Sequence, residues 1–266
     1  MNEKPENLLA VDERPPVTAY NPNGKSPFLL VADHAGNAMP HALRQLGLAA
    51  AECERHIAWD IGIAGLGRLL ADALDAALIQ QNYSRLVIDC NRPPGTPTSI
   101  PEISEHTPVP GNVGLSEASR AARVREIFWP YHERIEAELN RRQQAGRTTV
   151  LIALHSFTPV FMGVARPWHA AVLYNRDPRF GKRLMALLNA KKEFTVGVNA
   201  PYTVRDATDY TIPVHAERRG LHHVLIEIRQ DLIAGKNGER AWGALLARLL
   251  PEAYQEFVAA EAVRSA

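Results

Sequence analysis

Two histidines and one glutamate in this chain have the residue types and the placement that metal-assisted hydrolysis requires. His34 and His155 each follow a short apolar segment, and Glu227 lies within a third one. In catalytic metal sites, neutral imidazoles bind the metal, an open coordination position takes water, and a carboxylate accepts a proton from that water. A single histidine is more often a hydrogen-bonded structural residue. The three residues together indicate a metallohydrolase.

The apolar segments that carry these residues are too short for buried helices, and they predict strands. They cover residues 27–32, 150–154 and 223–228. Continuous apolar runs of this length are typical of strands buried on both faces of a sheet. Because open α/β sheets bind ligands beyond the carboxyl ends of their strands, we expect the three side chains to meet there. Gly36, in the loop after the first segment, is expected to allow close approach of the backbone to a ligand.

The rest of the chain alternates between helical and strand patterns. Further strands are predicted at residues 77–80, 85–89, 169–174 and 194–198, and the last strand is expected to start at residue 222. One helix is predicted to start near Asp60. Further helices are predicted at residues 41–46, 50–57, 116–144, 179–189 and most of 230–260, and the 116–144 helix is expected to break near Pro130. This alternation predicts an α/β fold, with a mixed, largely parallel central sheet and helices on both faces. We expect one catalytic domain over residues 1–266, with an irregular, proline-rich lead-in at residues 1–26.

Composition narrows the class of function. Hydrophobic residues make up 46% of the chain, and the net charge is +1, which gives no electrostatic reason to expect nucleic acid or an anionic membrane as a partner. No stretch has the length of a membrane span, and the polar start is unlike a signal peptide. Cys53 and Cys90 form no CxxC pair and no disulfide framework. We therefore expect a cytoplasmic protein, and the sequence does not indicate its oligomeric state.

Four short motifs resemble those of the zinc carboxypeptidases and occur in the same order. They are HAGN at 34–37, Asn91-Arg92, His155-Ser156-Phe157 and IEIR at 226–229. A closer resemblance is to the N-formylglutamate amidohydrolase family. It is carried by DHAGNAMP, YSRLVIDCNRP, PGNVGLS, LHSFTPVFMG and IEIRQDLI, which are spread over residues 33–233. The resemblance implies a zinc-carboxypeptidase-like (phosphorylase/hydrolase-like) fold.

The resemblance also implies a metal site. His34 and His155 would bind Zn²⁺, or another divalent metal, through ring nitrogens. Asn37 falls where the carboxypeptidases have a metal-binding glutamate, and an amide oxygen is a poorer zinc ligand than a carboxylate. Either Asn37 binds weakly, or the carboxylate of Asp60 or Asp33 takes this place. The structural alternatives are a helix N-cap for Asp60 and a loop residue bonded to its own backbone for Asn37.

By the same resemblance, Glu227 would be the general base. Burial in an apolar strand should raise its pKa, unless Arg229, two residues further on the same face, forms an ion pair with it. Arg92, next to Asn91, would hold a substrate carboxylate, because guanidinium can bind carboxylate through two parallel hydrogen bonds. Arg166 is a second candidate for this role. A surface position for Arg92 and a carbonyl-capping role for Arg166 are the alternatives.

The implied activity is that of a zinc-dependent amidohydrolase acting on a small carboxylate-bearing N-acyl amino acid. By resemblance the substrate is N-formylglutamate, which gives formate and glutamate in histidine degradation. A carboxypeptidase or another N-acyl amino acid deacylase would need the same residues. A metal-free, inactive ligand-binding protein on the same scaffold is the alternative from a different class, and the departure at Asn37 keeps it open.

Overall fold

The computed structural model describes residues 7–265 and contains a seven-stranded mixed sheet. The strands of this sheet are β1 (Val17–Tyr20), β2 (Phe28–Ala32), β3 (Ala77–Gln81), β6 (Val150–Phe157), β9 (Ala170–Leu173), β10 (Val196–Val198) and β11 (His222–Arg229). Two separate two-stranded sheets are formed by β4 (Ile103–Ser104) with β5 (Thr107–Pro108) and by β7 (Val160–Phe161) with β8 (Val164–Ala165). The α-helices are α1 (Ala50–Cys53), α2 (Ile63–Leu74), α3 (Glu117–Arg123), α4 (Trp129–Gln144), α5 (Arg179–Asn189) and α6 (Lys236–Ser265). Single 3-10 or π turns cover His41–Gly47, Pro110–Asn112, Val124–Phe128, Ile212–Ala216, Glu217–Arg219 and Gln230–Leu232.

The central strands of the sheet are parallel. Its order is β1-β3-β2-β6-β11-β9-β10, and only the β1–β3 and β11–β9 pairs are antiparallel. The prediction of a mixed, largely parallel sheet is therefore confirmed. Because β6 pairs with β2 on one side and β11 on the other, the carboxyl ends of these three strands lie side by side.

Helices cover both faces of the sheet, as predicted. On β6, Leu151 and Ala153 pack into the hydrophobic cluster that contains Tyr131 and Ile135 of α4. The alternate residues of β6, with Ile152 among them, pack against α2, α5 and α6. Successive side chains of a strand point to opposite faces, so a strand with apolar layers on both sides needs the unbroken apolar run that the sequence shows.

One strand prediction and one loop prediction in the N-terminal half were wrong. Residues 85–89 form no strand, because the Ser84 carbonyl accepts a hydrogen bond from Val87 N and the Asp89 N–H donates to Ser99 O. Their apolar side chains are buried in the core without belonging to a ladder. The predicted irregular lead-in contains β1, which pairs with β3 at the edge of the sheet. The first part of that lead-in, residues 1–6, lies outside the described residues.

The helix predictions were closer. The predicted 116–144 helix is α3 and α4 joined by a π turn, so the expected break near Pro130 is confirmed. Ser116 caps it by accepting a hydrogen bond from Ser119 N. The predicted 50–57 helix ends early, at Cys53. Among the helices within residues 7–265, none has the length and apolar character needed to cross a bilayer.

Gly36 allows a close backbone approach, but to the protein itself. A Cβ at this position would lie 2.0 Å from the carbonyl oxygen of Asn82. Ala38 N donates to that same oxygen, and Ser84 N donates to Ala38 O. The loop after β2, which carries His34, is therefore packed against the segment after β3.

Replacing Gly36 tests this contact. We expect Gly36→Ala to lower the free energy of unfolding by about 2 kcal/mol, because both loops must move apart to admit the methyl group. Gly235→Ala is the matched control, since a Cβ there meets nothing within 4 Å, and we expect a change within about 0.5 kcal/mol. Chemical denaturation measures both, and equal values would contradict the packing role of Gly36.

Candidate functional site

Two imidazoles and one carboxylate form a buried cluster at the carboxyl ends of β2 and β6. His34, Asp60 and His155 offer ligand atoms that all lie within 4.8 Å of one another. Asp60 Oδ2 is 3.0 Å from Nδ1 of His155 and 3.5 Å from Nδ1 of His34. The Nδ1 atoms of both rings therefore face the same carboxylate oxygen.

Backbone contacts hold Asp60 between the two strands. Its N–H donates to His34 O at 2.9 Å, and its Oδ2 accepts from Ser156 N at 3.2 Å. The N-cap of α2 is Gly62, and no side chain caps this helix. The N-cap alternative for Asp60 is therefore wrong, and its carboxylate is directed to the histidines.

Each imidazole meets a second carboxylate on its other side. Nε2 of His34 is 2.7 Å from Asp89 Oδ1, and Nε2 of His155 is 3.0 Å from Asp33 Oδ2. Metal-binding histidines usually have one nitrogen directed at the metal and the other N–H donated to a carboxylate or carbonyl. Nδ1 of His34 is buried and has no hydrogen-bond partner in the part of the chain that the structure describes. These observations fit a cation between the two Nδ1 atoms and Asp60.

Two carboxyl groups that contact the imidazoles have lowered pKa values although they are buried. Burial alone would raise the pKa of Asp33, but hydrogen bonds and charge from His155 lower it to about 2. Burial likewise opposes ionisation of Asp89, yet the Arg85 guanidinium and His34 hold its pKa well below the usual value. Arg85 donates to Asp89 Oδ2 through Nε at 3.1 Å and Nη2 at 2.6 Å.

The same carboxylates act on the imidazoles. Burial lowers the pKa of His155, but Asp33 and Asp60 raise it well above the ordinary value. The pKa of His34 is also raised, because Asp89 and Asp60 outweigh burial and the Arg85 charge. The carboxylates thus favour positive charge at the imidazoles, which either protons or a metal ion can supply.

Glu227 lies beside His155 with an unpaired oxygen. The two residues are register partners on β11 and β6, and Glu227 Oε2 is buried with no hydrogen-bond partner within residues 7–265. Burial raises the pKa of Glu227 to about 7, against the lowering effect of His155 and Arg85. Arg229 donates to Asp231 instead, so the predicted alternative of an ion pair with Glu227 is wrong.

A cavity of about 320 Å³ opens onto these groups and is also lined by Asn91 and Arg92. Arg92 Nη1 donates to Thr208 O at 2.8 Å and to Asp209 Oδ1 at 3.3 Å. Asn91 Nδ2 donates to the same Asp209 oxygen at 3.2 Å. The structure brings both residues to the site, with part of their donor capacity used by Asp209.

Arg166 lies in an aromatic cage next to this cavity. Its guanidinium carbon is 4.6 Å from the ring centroid of Phe161 and 4.8 Å from that of Tyr202, and both rings line the cavity. Nη1 donates to Tyr202 Oη at 2.9 Å. The side chain is 8% exposed, and within residues 7–265 no carboxylate forms an ion pair with it. Arg166 does not cap a carbonyl there, so that alternative is not supported.

Asn37 is not brought to the cluster. Its Nδ2 donates to Glu54 Oε2 at 3.2 Å and to Cys53 O at 3.4 Å, and it lines a different cavity. Asp60 supplies the carboxylate that the sequence lacks at this position. Asn37 is a loop residue, although it bonds to the Cys53 and Glu54 segment rather than to its own backbone.

Sequence reasoning missed Arg85 and Asp89. Both lie in the motif YSRLVIDCNRP, four residues apart. The apolar pattern predicts a strand there, which would place the two side chains on the same face without contact between them. An opposite-charge pair inside an apolar segment was the available signal, because buried charges are nearly always paired.

The mixed sheet and the buried His–Asp–His cluster at its carboxyl edge define an α/β protein with a candidate metal site. Residues 26–234 match the sequence model of the N-formylglutamate amidohydrolase family. The chain belongs to this family, which confirms the resemblance seen in its motifs.

The solved structures that are similar to this chain include the following two. Gene product Atu2144 from Agrobacterium tumefaciens superposes with a TM-score of 0.91 and 37% identity, over 94% of this chain and 99% of that one. N-formylglutamate amidohydrolase from Ralstonia eutropha JMP134 superposes with a TM-score of 0.66 and 18% identity, over 90% of this chain and 97% of that one. The second likeness shows a shared fold. None of the curated proteins compared with the chain matches it.

A pair of neutral histidines, His132 and His215, stabilises the segment that carries Asp89. His132 donates from Nε2 to Cys90 O at 2.8 Å, which leaves its Nδ1 to accept from His215 Nε2 at 2.9 Å. Burial lowers the pKa of His132 to about 4 and that of His215 to about 3. The pair thereby holds the backbone between Asp89 and Asn91 against α4.

This pair predicts a loss of stability in acid. Below about pH 6.5 the unfolded chain protonates both histidines while the folded protein does not, so stability falls from there to about pH 4. His215→Gln keeps a donor but does not titrate. We expect its unfolding free energy to depend on pH less steeply, by up to about 1.4 kcal/mol per pH unit. Denaturant unfolding from pH 7 to 4 measures this, with His41→Asn, on an exposed side chain, as the control. A slope equal to that of the parent would contradict the interpretation.

Proposed function

We propose that this chain is a metal-dependent amidohydrolase that cleaves N-formylglutamate to formate and glutamate. The observation that carries the proposal is the pair of imidazole Nδ1 atoms directed at Asp60 Oδ2, with the unpaired carboxylate of Glu227 on the adjacent strand. Membership of the N-formylglutamate amidohydrolase family supports the choice of substrate.

His34, Asp60 and His155 would hold the metal. Two imidazole nitrogens and one carboxylate oxygen match the donor set of many catalytic zinc sites, so Zn²⁺ is the proposed ion. Other divalent metals accept the same donors. When bound, the metal supplies Lewis acidity, which activates water and polarises an acyl carbonyl.

Glu227 is the proposed general base. A carboxylate with a pKa of about 7 can both accept and release a proton near neutral pH. Its unpaired Oε2 faces no competing donor, so it is available to take a proton from water and deliver it to the leaving nitrogen. Its register with His155 keeps it at the cluster.

Arginines are proposed to hold the two carboxylates of the substrate. Arg92, with Asn91, contacts one end of the cavity, but Asp209 already offsets part of its charge. Arg166 is buried without a carboxylate partner among the described residues, so an acidic ligand would offset the cost of that burial. Phe161 and Tyr202 fix its guanidinium beside the cavity.

Two alternatives use the same residues. A carboxypeptidase or a different N-acyl amino acid deacylase would require the same base and arginines, and substrate assays separate them. The amide at Asn37, in place of a carboxylate, leaves open the alternative of a metal-free binding protein. Because Asp60 offers a carboxylate to both histidines, that departure no longer argues against metal binding.

Metal content tests the centre. We expect about one zinc per chain in protein purified without chelator, and its loss in His155→Ala. Glu227→Gln should keep the metal and lower kcat about 1,000-fold, because it removes proton transfer but no metal ligand. Elemental analysis and a deformylation assay measure these values. A parent that holds no metal after zinc is added would reject the hydrolase and favour the binding protein.

Substitution of Arg166 tests substrate recognition. We expect Arg166→Met to lower kcat/KM for N-formylglutamate about 30-fold, from loss of a charged hydrogen bond. The effect on N-formylglutamine, which lacks the side-chain carboxylate, should be much smaller. Arg240→Met, at an exposed position, is the control. Equal losses for the two substrates would show that Arg166 does not recognise this carboxylate.

A further inference from the structure

Asp33 is anchored on both of its oxygens. Its Oδ2 faces Nε2 of His155 at 3.0 Å. Its Oδ1 accepts from Tyr131 Oη at 2.8 Å and from Thr211 Oγ1 at 2.7 Å. All of these side chains are buried. Two hydroxyls therefore hold the carboxylate that contacts one of the proposed metal ligands.

The carboxylate on the other imidazole is held differently. Asp89, which contacts His34, receives a two-nitrogen contact from the guanidinium of Arg85. For Asp33, no lysine or arginine among the described residues lies within ion-pair distance. Neutral donors thus replace a cation on the His155 side of the cluster.

We propose that Tyr131 and Thr211 are positioning residues that act through Asp33 to orient His155 for metal binding. The inference rests on the proposed metal site. It adds two residues that touch neither the proposed metal ligands nor the cavity.

The physical argument concerns the freedom of one carboxylate. With Oδ1 held by two hydroxyls, only Oδ2 remains to accept the Nε2–H of His155. That hydrogen bond fixes the ring orientation and leaves Nδ1 as the nitrogen directed at Asp60. Tyr131 belongs to α4 and Thr211 precedes the turn at Ile212–Ala216. Two elements outside the sheet therefore help to fix the orientation of the His155 imidazole on β6.

Metal affinity tests the inference directly. We expect Tyr131→Phe and Thr211→Val each to weaken Zn²⁺ binding about 10-fold, as substitutions behind metal-binding histidines commonly do. Thr211→Ser keeps the hydroxyl and should stay within about twofold of the parent. Competition with a chromophoric chelator measures the Kd.

Tyr83→Phe is the matched control for a lost buried hydroxyl. Tyr83 is buried and its hydroxyl donates to Arg14 O, away from the cluster. We expect it to keep the parent Kd even if its melting temperature falls as far as that of Tyr131→Phe. An equal loss of affinity in the two tyrosine variants would overturn the inference, because it would mark a general effect of destabilisation.

A spectroscopic measurement separates orientation from stability. The visible spectrum of bound Co²⁺ reports ligand geometry, and we expect it to change in Thr211→Val but not in Thr211→Ser or Tyr83→Phe. Unchanged Kd and spectra in Tyr131→Phe and Thr211→Val, with a parent that binds metal, would overturn the inference alone. A parent that binds no metal would overturn the inference and the proposed function together.

Discussion

Buried negative charge at the carboxyl edge of the sheet is the constraint on which the rest of this structure depends. Asp33, Asp60, Asp89 and Glu227 are all buried within one small region. Removing a carboxylate from water costs several kcal/mol unless donors and positive charge compensate it. Two imidazoles, one guanidinium, two hydroxyls and backbone N–H groups provide that compensation. Of these four carboxylates, only Glu227 has a buried oxygen without a hydrogen-bond partner among the described residues, and it is the one whose pKa is raised.

The fold tolerates this concentration of buried charge because the sheet confines it to the carboxyl ends of the strands. Along β6 from Val150 and along β11 from Val224, the side chains are buried in apolar layers on both faces, until His155 and Glu227 appear at matching positions. Parallel pairing aligns the carboxyl ends of the strands, so residues far apart in the chain arrive at one edge. The polar groups therefore meet one another rather than the core.

Two arginines lie at the cavity beyond this edge. Arg92 lines the cavity and is partly neutralised by Asp209, whereas Arg166 lies next to it and has no carboxylate partner among the described residues. Under the proposed function, these arginines would orient a ligand that has carboxylates at one part and a neutral amide at another. Orientation of this kind matches the proposed reaction, in which the amide must reach the cluster while the carboxylates remain at the arginines.

The sequence by itself predicted a largely parallel sheet with helices on both faces, and it placed His34, His155 and Glu227 at or near strand ends. The fold prediction is confirmed, because apolar periodicity and strand ends are local properties, and the roles of the three residues stay predictions. Only the tertiary structure decided that Asp60, 95 residues before His155, completes the cluster while Asn37 does not. It also decided that residues 85–89 turn rather than pair, so that Arg85 can hold Asp89. These outcomes depend on which distant segments meet, and local sequence patterns do not specify the distance between side chains on separate strands and loops.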